Sequence, residues 1–407
     1  MRLPDGQASP GIAVAIEFPP VASIASERAA SRRTGPIALL LPTLEIGGAE
    51  RSVSRLAGAL TDHCERVDLV VGRIRGPHGR ALLPPGVRLV ELGTRRVMTS
   101  FRALNRYLRC ERPVCLLANL THANAMALIT RKYLGPPVRI VVVEHSTLSE
   151  FARRSGVLRH RLLPPIARLT YPWADGVVAV SHRGRSDLAR VTGLPEQRIE
   201  VIHNPLAYDE VALLAAAEPP HSWLVDAQPP LLLAIGCLRP IKGHVTLLHA
   251  FAALRKRRSA RLAVLGDGPE RPRLERLVRR LGLSNDVLLP GSQANPYAWI
   301  SRAACVVMTS RSEGRPTTLL EALMLGRPVV AVDQFGAREV LDGGRLGALA
   351  APGDEAALVE QIERAIDAGE RPVPPGLVAA HHPAHIAAQY LRLLLPESGS
   401  CLEVGRA

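Results

Sequence analysis

The stretch Cys305-Val306-Val307-Met308-Thr309-Ser310-Arg311-Ser312-Glu313-Gly314-Arg315-Pro316-Thr317-Thr318-Leu319-Leu320-Glu321-Ala322 decides how this chain folds. Its first five residues form a short, nearly unbroken apolar run, the pattern of a strand buried on both faces of a parallel sheet. Its end, with Leu319, Leu320, Leu323 and Met324 apolar and Gly326 and Pro328 as stop signals, has the pattern of a helix. Strand, short loop and helix start in that order put residues 310–318 at the carboxyl edge of a sheet, where open α/β sheets bind ligands. The first-turn amides form an anion site there, and Thr317 or Thr318 is placed to cap the helix. Glu313 and Glu321 bracket the turn, and a carboxylate so placed can accept hydrogen bonds from the paired hydroxyls of a sugar or a ribose. The competing expectation is that Glu313 caps the helix and Glu321 lies on a solvated face.

The strand–helix rhythm extends outward on both sides. In the second half, apolar strands at 231–236, 261–266, 287–290, 329–332 and 347–350 alternate with helical patterns at 245–257, 295–303 and 354–367 and a helix ending at Leu281. In the first half, strands at 36–41, 66–71, 87–92, 114–118, 139–143, 176–180 and 198–202 alternate with helices at 49–62, 99–109, 123–133 and 181–191. A basic helical stretch occupies 151–170, broken or kinked at Pro164-Pro165. Residues 206–230, rich in Ala and Pro, separate the halves. The expected organisation is a disordered arm (1–35), two doubly wound α/β domains (36–205 and 206–383) facing each other across a cleft, and a terminal helix and tail (384–407).

Composition agrees with two soluble domains. The chain has 407 residues, 47% apolar and 22% charged. Cys64, Cys110, Cys115, Cys237, Cys305 and Cys401 are scattered with no Cys-x-x-Cys pair, so neither a zinc site nor a disulfide framework is expected, and a reducing cytoplasm fits best. No apolar run reaches the roughly 18 residues that would span a bilayer. The segment 11–25 contains Glu17, Pro19 and Pro20 and makes a poor signal peptide.

Of the net charge of +14, residues 36–205 carry +12 (25 Lys/Arg against 13 Asp/Glu), and residues 206–407 carry only +1 (22 against 21). A basic first half implies an acidic partner: an anionic membrane surface, a phosphate-bearing substrate or nucleic acid. Few aromatics and no nucleic-acid motif speak against nucleic acid. Arg102, Arg106 and Arg109 at helical spacing, with Arg153, Arg154, Arg159, Arg161 and Arg168 among leucines, favour the membrane.

Other strand ends add candidates. Arg239 and Lys242 follow the strand at 231–236, two cations where a diphosphate could rest. Gly47 and Gly48 follow the first strand, where glycines let a ligand approach backbone amides. His145 ends the strand at 139–143, either to meet a substrate or as a satisfied loop histidine. No Gly-x-x-x-x-Gly-Lys-Ser/Thr occurs, which argues against a P-loop nucleotidase. No Gly-x-Gly-x-x-Gly follows the first strand, which argues against a dinucleotide oxidoreductase.

Taken in order, Gly47-Gly48-Ala49-Glu50-Arg51, Gly236-Cys237-Leu238-Arg239-Pro240-Ile241-Lys242-Gly243, Gly266-Asp267-Gly268-Pro269, the Glu313–Glu321 turn and Gly326-Arg327-Pro328-Val329-Val330-Ala331 resemble family 4 of the retaining glycosyltransferases with the GT-B fold, over about residues 36–370. The resemblance implies an acceptor-binding first domain and a second domain that binds a nucleotide sugar, UDP-linked. Lys242 would neutralise the donor diphosphate, with Arg239 beside it. Glu313 would hold hydroxyls of the transferred sugar and Glu321 the ribose. Amides of Gly314, Leu319 and Leu320 would contact phosphate or sugar, Gly47 and Gly48 would admit acceptor and diphosphate, and His145 would lie near the reacting carbon. The leaving phosphate would take the acceptor proton, and neither metal nor other cofactor is expected. Cys237 and Arg315 depart from the family pattern, and Arg315 bears on donor sugar choice.

The implied activity is sugar transfer to a lipid-linked sugar or growing surface glycan, by a cytoplasmic enzyme peripheral to the inner face of the membrane. The alternatives are a sugar-nucleotide epimerase of similar fold and a non-enzymatic basic membrane scaffold. A glycosidase reading fails, because Glu321 falls on the nucleotide side rather than across a scissile bond from Glu313.

Overall fold

The computed structural model describes residues 35–45, 47–74, 79–93, 100–154, 157–225 and 228–395. The arm expected at 1–35, all but its last residue, and the tail with Cys401 lie outside the described residues.

The apolar runs of the first half form β1 (Ile37–Leu44), β2 (Val67–Ile74), β3 (Val87–Glu91), β4 (Cys115–Asn119), β5 (Arg139–Glu144), β6 (Gly176–Ala179) and β7 (Ile199–Val201). They pair in parallel in the order β3-β2-β1-β4-β5-β6-β7. The runs are unbroken because alternate residues feed two cores. Leu40, Val70, Leu116 and Val142 face one side, and Leu39, Leu41, Leu69, Leu117 and Val143 face the other. The helices are α1 (Gly48–Thr61), α2 (Phe101–Glu111), α3 (Thr121–Leu134), α4 (Leu148–Arg154), α5 (Leu163–Thr170) and α6 (His182–Thr192). The basic stretch expected as one helix at 151–170 is instead α4, a 3-10 turn (Leu158–Leu162) and α5. Pro164 and Pro165 do not kink a helix. They sit in the first turn of α5, where a missing amide costs no hydrogen bond.

The second sheet comprises β8 (Leu231–Ile235), β9 (Arg261–Leu265), β10 (Val287–Gly291), β11 (Cys305–Met308), β12 (Val329–Val332) and β13 (Ala348–Ala350), parallel in the order β10-β9-β8-β11-β12-β13. Its helices are α7 (Tyr208–Ala215), α8 (His244–Arg255), α9 (Arg271–Arg280), α10 (Tyr297–Ile300), α11 (Thr317–Met324), α12 (Phe335–Val340), α13 (Glu355–Ala368) and α14 (Leu377–His381). The Ala- and Pro-rich segment after 206 is not plain linker, since Val211 and Ala215 of α7 are buried in the second core beside Tyr297 and Ile300.

Both strand orders reverse direction once, between β1 and β4 and between β8 and β11. Those reversals open the crevices at the carboxyl edge. The loops after β1, β8 and β11 therefore carry Gly47-Gly48, Lys242 and Glu313 to the two crevice mouths.

The last helix, α15 (Pro383–Leu394), returns to the first domain. Ile386, Ala387, Tyr390 and Leu394 join the core under α1, and the Leu393 carbonyl accepts from Arg139 Nε at 2.9 Å. Tyr390 is 3% exposed, so Tyr390→Ala leaves a cavity in the first domain from a helix that follows the second. The expected cost is about 3 kcal/mol of stability, read by chemical denaturation with tryptophan fluorescence.

Candidate active site

The loop after β8 turns back so that Lys242 Nζ donates to Glu313 Oε1 at 2.6 Å. Burial works against the ammonium charge, but the Glu313 carboxylate beside it prevails and holds the Lys242 pKa above its ordinary value. Glu313 thus caps no helix. Its carboxylate is on Lys242, and its amide donates to Gln334 Oε1 at 3.3 Å. Neither threonine caps α11, because the helix starts one residue after Pro316, which has no side-chain acceptor. The amides of Thr317, Thr318 and Leu319 are left as the open first turn. Leu319 and Leu320 have fully buried side chains, so only their backbones could meet a ligand, and Leu320 stands where helix-internal bonding begins.

Gly314 shows how the two domains meet. A Cβ there would lie 2.1 Å from the His145 carbonyl oxygen and 2.9 Å from Ser146 Cα, so no other residue lets these backbones touch. Ser312 Oγ donates to Glu150 Oε2 at 3.0 Å, and Arg154 donates to the Arg311 carbonyl, across the same junction.

The His145 ring is tied to β4. Asn119 Nδ2 donates to the carbonyls of Leu40 and Leu117, which leaves its Oδ1 to accept from His145 Nε2 at 3.0 Å. The proton therefore sits on Nε2, and the buried Nδ1 has no hydrogen-bond partner. Burial pushes the imidazole down to about 4 despite Asn204, which favours the charged form. The ring is neutral at physiological pH.

Glu321 is 6% exposed, which rules out the solvated-face expectation. Its Oε1 accepts from Tyr297 Oη at 3.0 Å and lies 3.5 Å from Arg55 Nη1. Arg55, from α1 of the first domain, also donates to Tyr297 Oη (2.6 Å) and Glu210 (3.1 Å). Arg315 bridges elsewhere. Its guanidinium donates to Glu339 at 3.2 Å and to His381 Nε2 at 3.0 Å. Glu339 in turn accepts from the amides of His182 and Arg183 at the start of α6, and His381 stacks on His203 at 5.6 Å. Arg315 is thus engaged at the domain junction. Arg239 is exposed, and among the described residues no hydrogen bond or ion pair anchors its side chain.

Gly48 faces α11, since a Cβ on it would lie 3.6 Å from Thr317 Oγ1. A Cβ on Gly47 would lie 2.2 Å from Glu50 Oε2. Asn119, Arg55, Tyr297, Glu339 and Glu50 were not singled out as site residues from sequence. Of these, Glu50 stands less than one helical turn past the Gly47-Gly48 pair and Arg55 two turns past it. Among the described residues no group of three or more His, Cys, Asp or Glu is placed to hold a metal. Glu313→Gln removes the group that sustains the Lys242 charge and leaves burial unopposed. The Lys242 pKa should then fall, and an amine-directed acylating reagent should label this lysine at lower pH than in the wild type, read by peptide mass spectrometry.

Two family models match the chain: "Glycosyltransferase Family 4" over residues 46–210 and "Glycosyl transferases group 1" over residues 229–368. The chain is 26% identical, over 80% of its length and 88% of the relative's, to a GalNAc-alpha-(1->4)-GalNAc-alpha-(1->3)-diNAcBac-PP-undecaprenol alpha-1,4-N-acetyl-D-galactosaminyltransferase of Campylobacter jejuni. It is 28% identical to the alpha-D-kanosaminyltransferase of Streptomyces kanamyceticus over 58% of this chain, spanning 63% of that enzyme's length. In fold it is similar to the sucrose-phosphate synthase of Thermosynechococcus elongatus (TM-score 0.74, 20% identity, 88% of this chain and 98% of that one). It is also similar to the lipopolysaccharide outer core galactosyltransferase WaaB (TM-score 0.62, 20% identity, 88% and 99%).

Proposed function

The chain belongs to the family 4 glycosyltransferases of GT-B fold, and on that premise we propose that it moves a sugar, with retention at the anomeric carbon, from a UDP-linked donor to a lipid-linked sugar or growing surface glycan. The observation that carries this reading is the Lys242–Glu313 pair at the β8/β11 crevice, set among the first turns of α1, α8 and α11 and closed by the Gly314–His145 contact.

A diphosphate entering this crevice meets Lys242, the exposed Arg239 and the open amides of α11, which together stabilise charge as the diphosphate leaves. The same groups do the work a metal would do, so no metal or other cofactor is required. The diphosphate draws Lys242 from Glu313, and the freed carboxylate accepts from sugar hydroxyls. The lone pair on His145 Nδ1 accepts a further sugar hydroxyl. Glu321 holds the ribose after Arg55 gives way, so nucleotide binding has to break a contact between domains.

The acceptor is proposed from the basic first domain and from the undecaprenol-linked acceptor in the Campylobacter relative's name. On α2, α3, α5 and the 3-10 turn before α5, Tyr133, Leu158, Leu162 and Leu169 are exposed, as are Arg102, Arg106, Arg159, Arg161 and Arg168. Exposed leucines among arginines suit an anionic membrane surface at the cytoplasmic side. No helix among the described residues is long and apolar enough to cross a membrane.

Lys242→Ala and Glu313→Ala should each lower sugar transfer by about 10²–10³-fold while the circular dichroism spectrum is kept, and wild-type turnover in both variants would sink the proposal. Product analysis with donor alone separates transfer from epimerisation, because an isomerised nucleotide sugar formed without acceptor marks an epimerase. Cosedimentation with vesicles containing anionic lipid should be strong at low salt and weaken as salt rises. Absence of binding at low salt removes the membrane assignment.

A further inference from the structure

Arg315 stands two residues past Glu313, and the proposed chemistry gives it no task. Its side chain is 8% exposed, where a cation without partners is costly. Nη1 donates to Glu339 Oε1 at 3.2 Å, and Nη2 donates to His381 Nε2 at 3.0 Å. Both partners stand where the chain crosses between the domains. His381 ends α14, just before α15 returns to the first domain, and its carbonyl accepts from the Leu206 amide at 2.7 Å on the segment that leaves that domain. His203 of the same outgoing segment lies flat against the His381 ring, at 5.6 Å and 14°. Glu339 accepts from the first amides of α6 at 3.2 and 3.4 Å. One guanidinium therefore ties the Glu313-Gly314 turn to the crossing segments and to a helix of the first domain.

The bond to His381 exists in one charge state only. The Leu377 carbonyl lies 3.0 Å from His381 Nδ1 and can only accept, so the ring proton sits on Nδ1. Nε2 is then bare and accepts from Arg315, which can only donate. A proton on Nε2 would set two donors and two positive charges face to face. Burial and Arg315 hold the His381 pKa down at about 4, the Leu377 carbonyl works against them, and His203 pushes the same way as Arg315. Also around the ring are Glu339 beyond Arg315, His182 edge-on to His203 at 6.1 Å, and Asp342 and Arg345, which pair with each other and line a cavity with His381. A His381 ring released to solvent titrates at its ordinary value of 6.5. The Arg315–His381 bond is thus fully favoured above that value and is lost as pH falls from 6.5 toward about 4.

We propose that Arg315 is a positioning residue for sugar transfer: through His381 and Glu339 it holds Glu313 and Gly314 in register with His145 across the domain junction. This role rests on the transferase reading. Glu313 comes from the second domain and His145 from the first, and the close backbone contact that sets them together is at Gly314, directly before Arg315. Lys242, Glu321 and the first turn of α11 hold the nucleotide without help from Arg315. Loosening this tie therefore lowers turnover, which depends on the alignment of two domains on one sugar, and leaves UDP affinity in place.

The test uses the full chain with UDP-glucose, UDP-galactose and UDP-N-acetylglucosamine, water serving as the acceptor. Wild-type kcat for donor hydrolysis should fall on the acidic side with an apparent pKa between about 4 and 6.5. Arg315→Met should lower kcat at neutral pH by about 10–10²-fold and abolish that limb. Its Kd for UDP by isothermal titration should stay within about twofold of wild type, which also shows that the variant is folded. His381→Gln offers Arg315 an amide oxygen in place of Nε2, an acceptor that does not titrate, so it should keep most of the rate and lose the limb. An Arg315→Met enzyme with wild-type kcat overturns the proposal, and so does an acidic limb that persists in His381→Gln. Loss of UDP binding in Arg315→Met also overturns it, in favour of a purely structural arginine. If the wild-type chain neither hydrolyses any of the three donors nor binds UDP, the transferase reading itself fails, a result separate from those.

Discussion

Lys242 and Glu313 meet at 2.6 Å where the second sheet reverses its strand order, and the crevice is arranged around that contact. Neither partner tolerates being alone there, since a partly buried charge left unpaired is costly. The pair fixes the loop after β8 against the loop after β11, and Thr309 Oγ1 adds a bond to the Gly243 carbonyl at 3.0 Å. With both loops fixed, the first turn of α11 is held open toward the first domain. The pair places a cation and a carboxylate side by side, each neutralising the other.

The junction between domains is built from the same kind of exchangeable contact. Arg55 reaches from α1 to Glu321, Arg154 reaches Arg311, and Glu339 sits on the first amides of α6 with Arg315 behind it. These are polar contacts, with few apolar side chains among them, whereas each sheet has its own dry cores. Such junctions favour relative motion of domains. Arg55 contacts Glu321 and Tyr297 from the first domain, while Lys242 is paired with Glu313 within the second. Of the first domain's basic residues, Arg102, Arg106, Arg159, Arg161 and Arg168 are exposed, unlike Arg55 at the junction.

Much of the fold and part of the site were legible in the amino-acid sequence. Runs such as Arg139-Ile140-Val141-Val142-Val143 can be buried on both faces only in a parallel sheet, and their alternation with helical patterns fixes two doubly wound domains. The strand-end positions of Lys242, Glu313 and Gly47-Gly48 follow from the same reading, because a residue just past a strand has few places to go. The 151–170 stretch was misjudged because leucines and arginines at helical spacing look alike whether one helix or three short pieces carries them. The pieces are set by what Leu163 and Ala167 bury against the first core.

What the sequence by itself determined is therefore local: element type, strand ends and the charge of each half, all fixed by periodicity and composition along a few neighbouring residues. What only the tertiary structure decided is pairing across long separations. That Arg55 meets Glu321, that Arg315 reaches Glu339 and His381, that Gly314 is a glycine because of the His145 carbonyl, and that Glu50 folds back over Gly47 all depend on how two sheets bring their carboxyl edges together. A side chain's charge state and partners are set by burial and by whichever groups the fold places within hydrogen-bond reach, and no spacing rule along the chain encodes those neighbours.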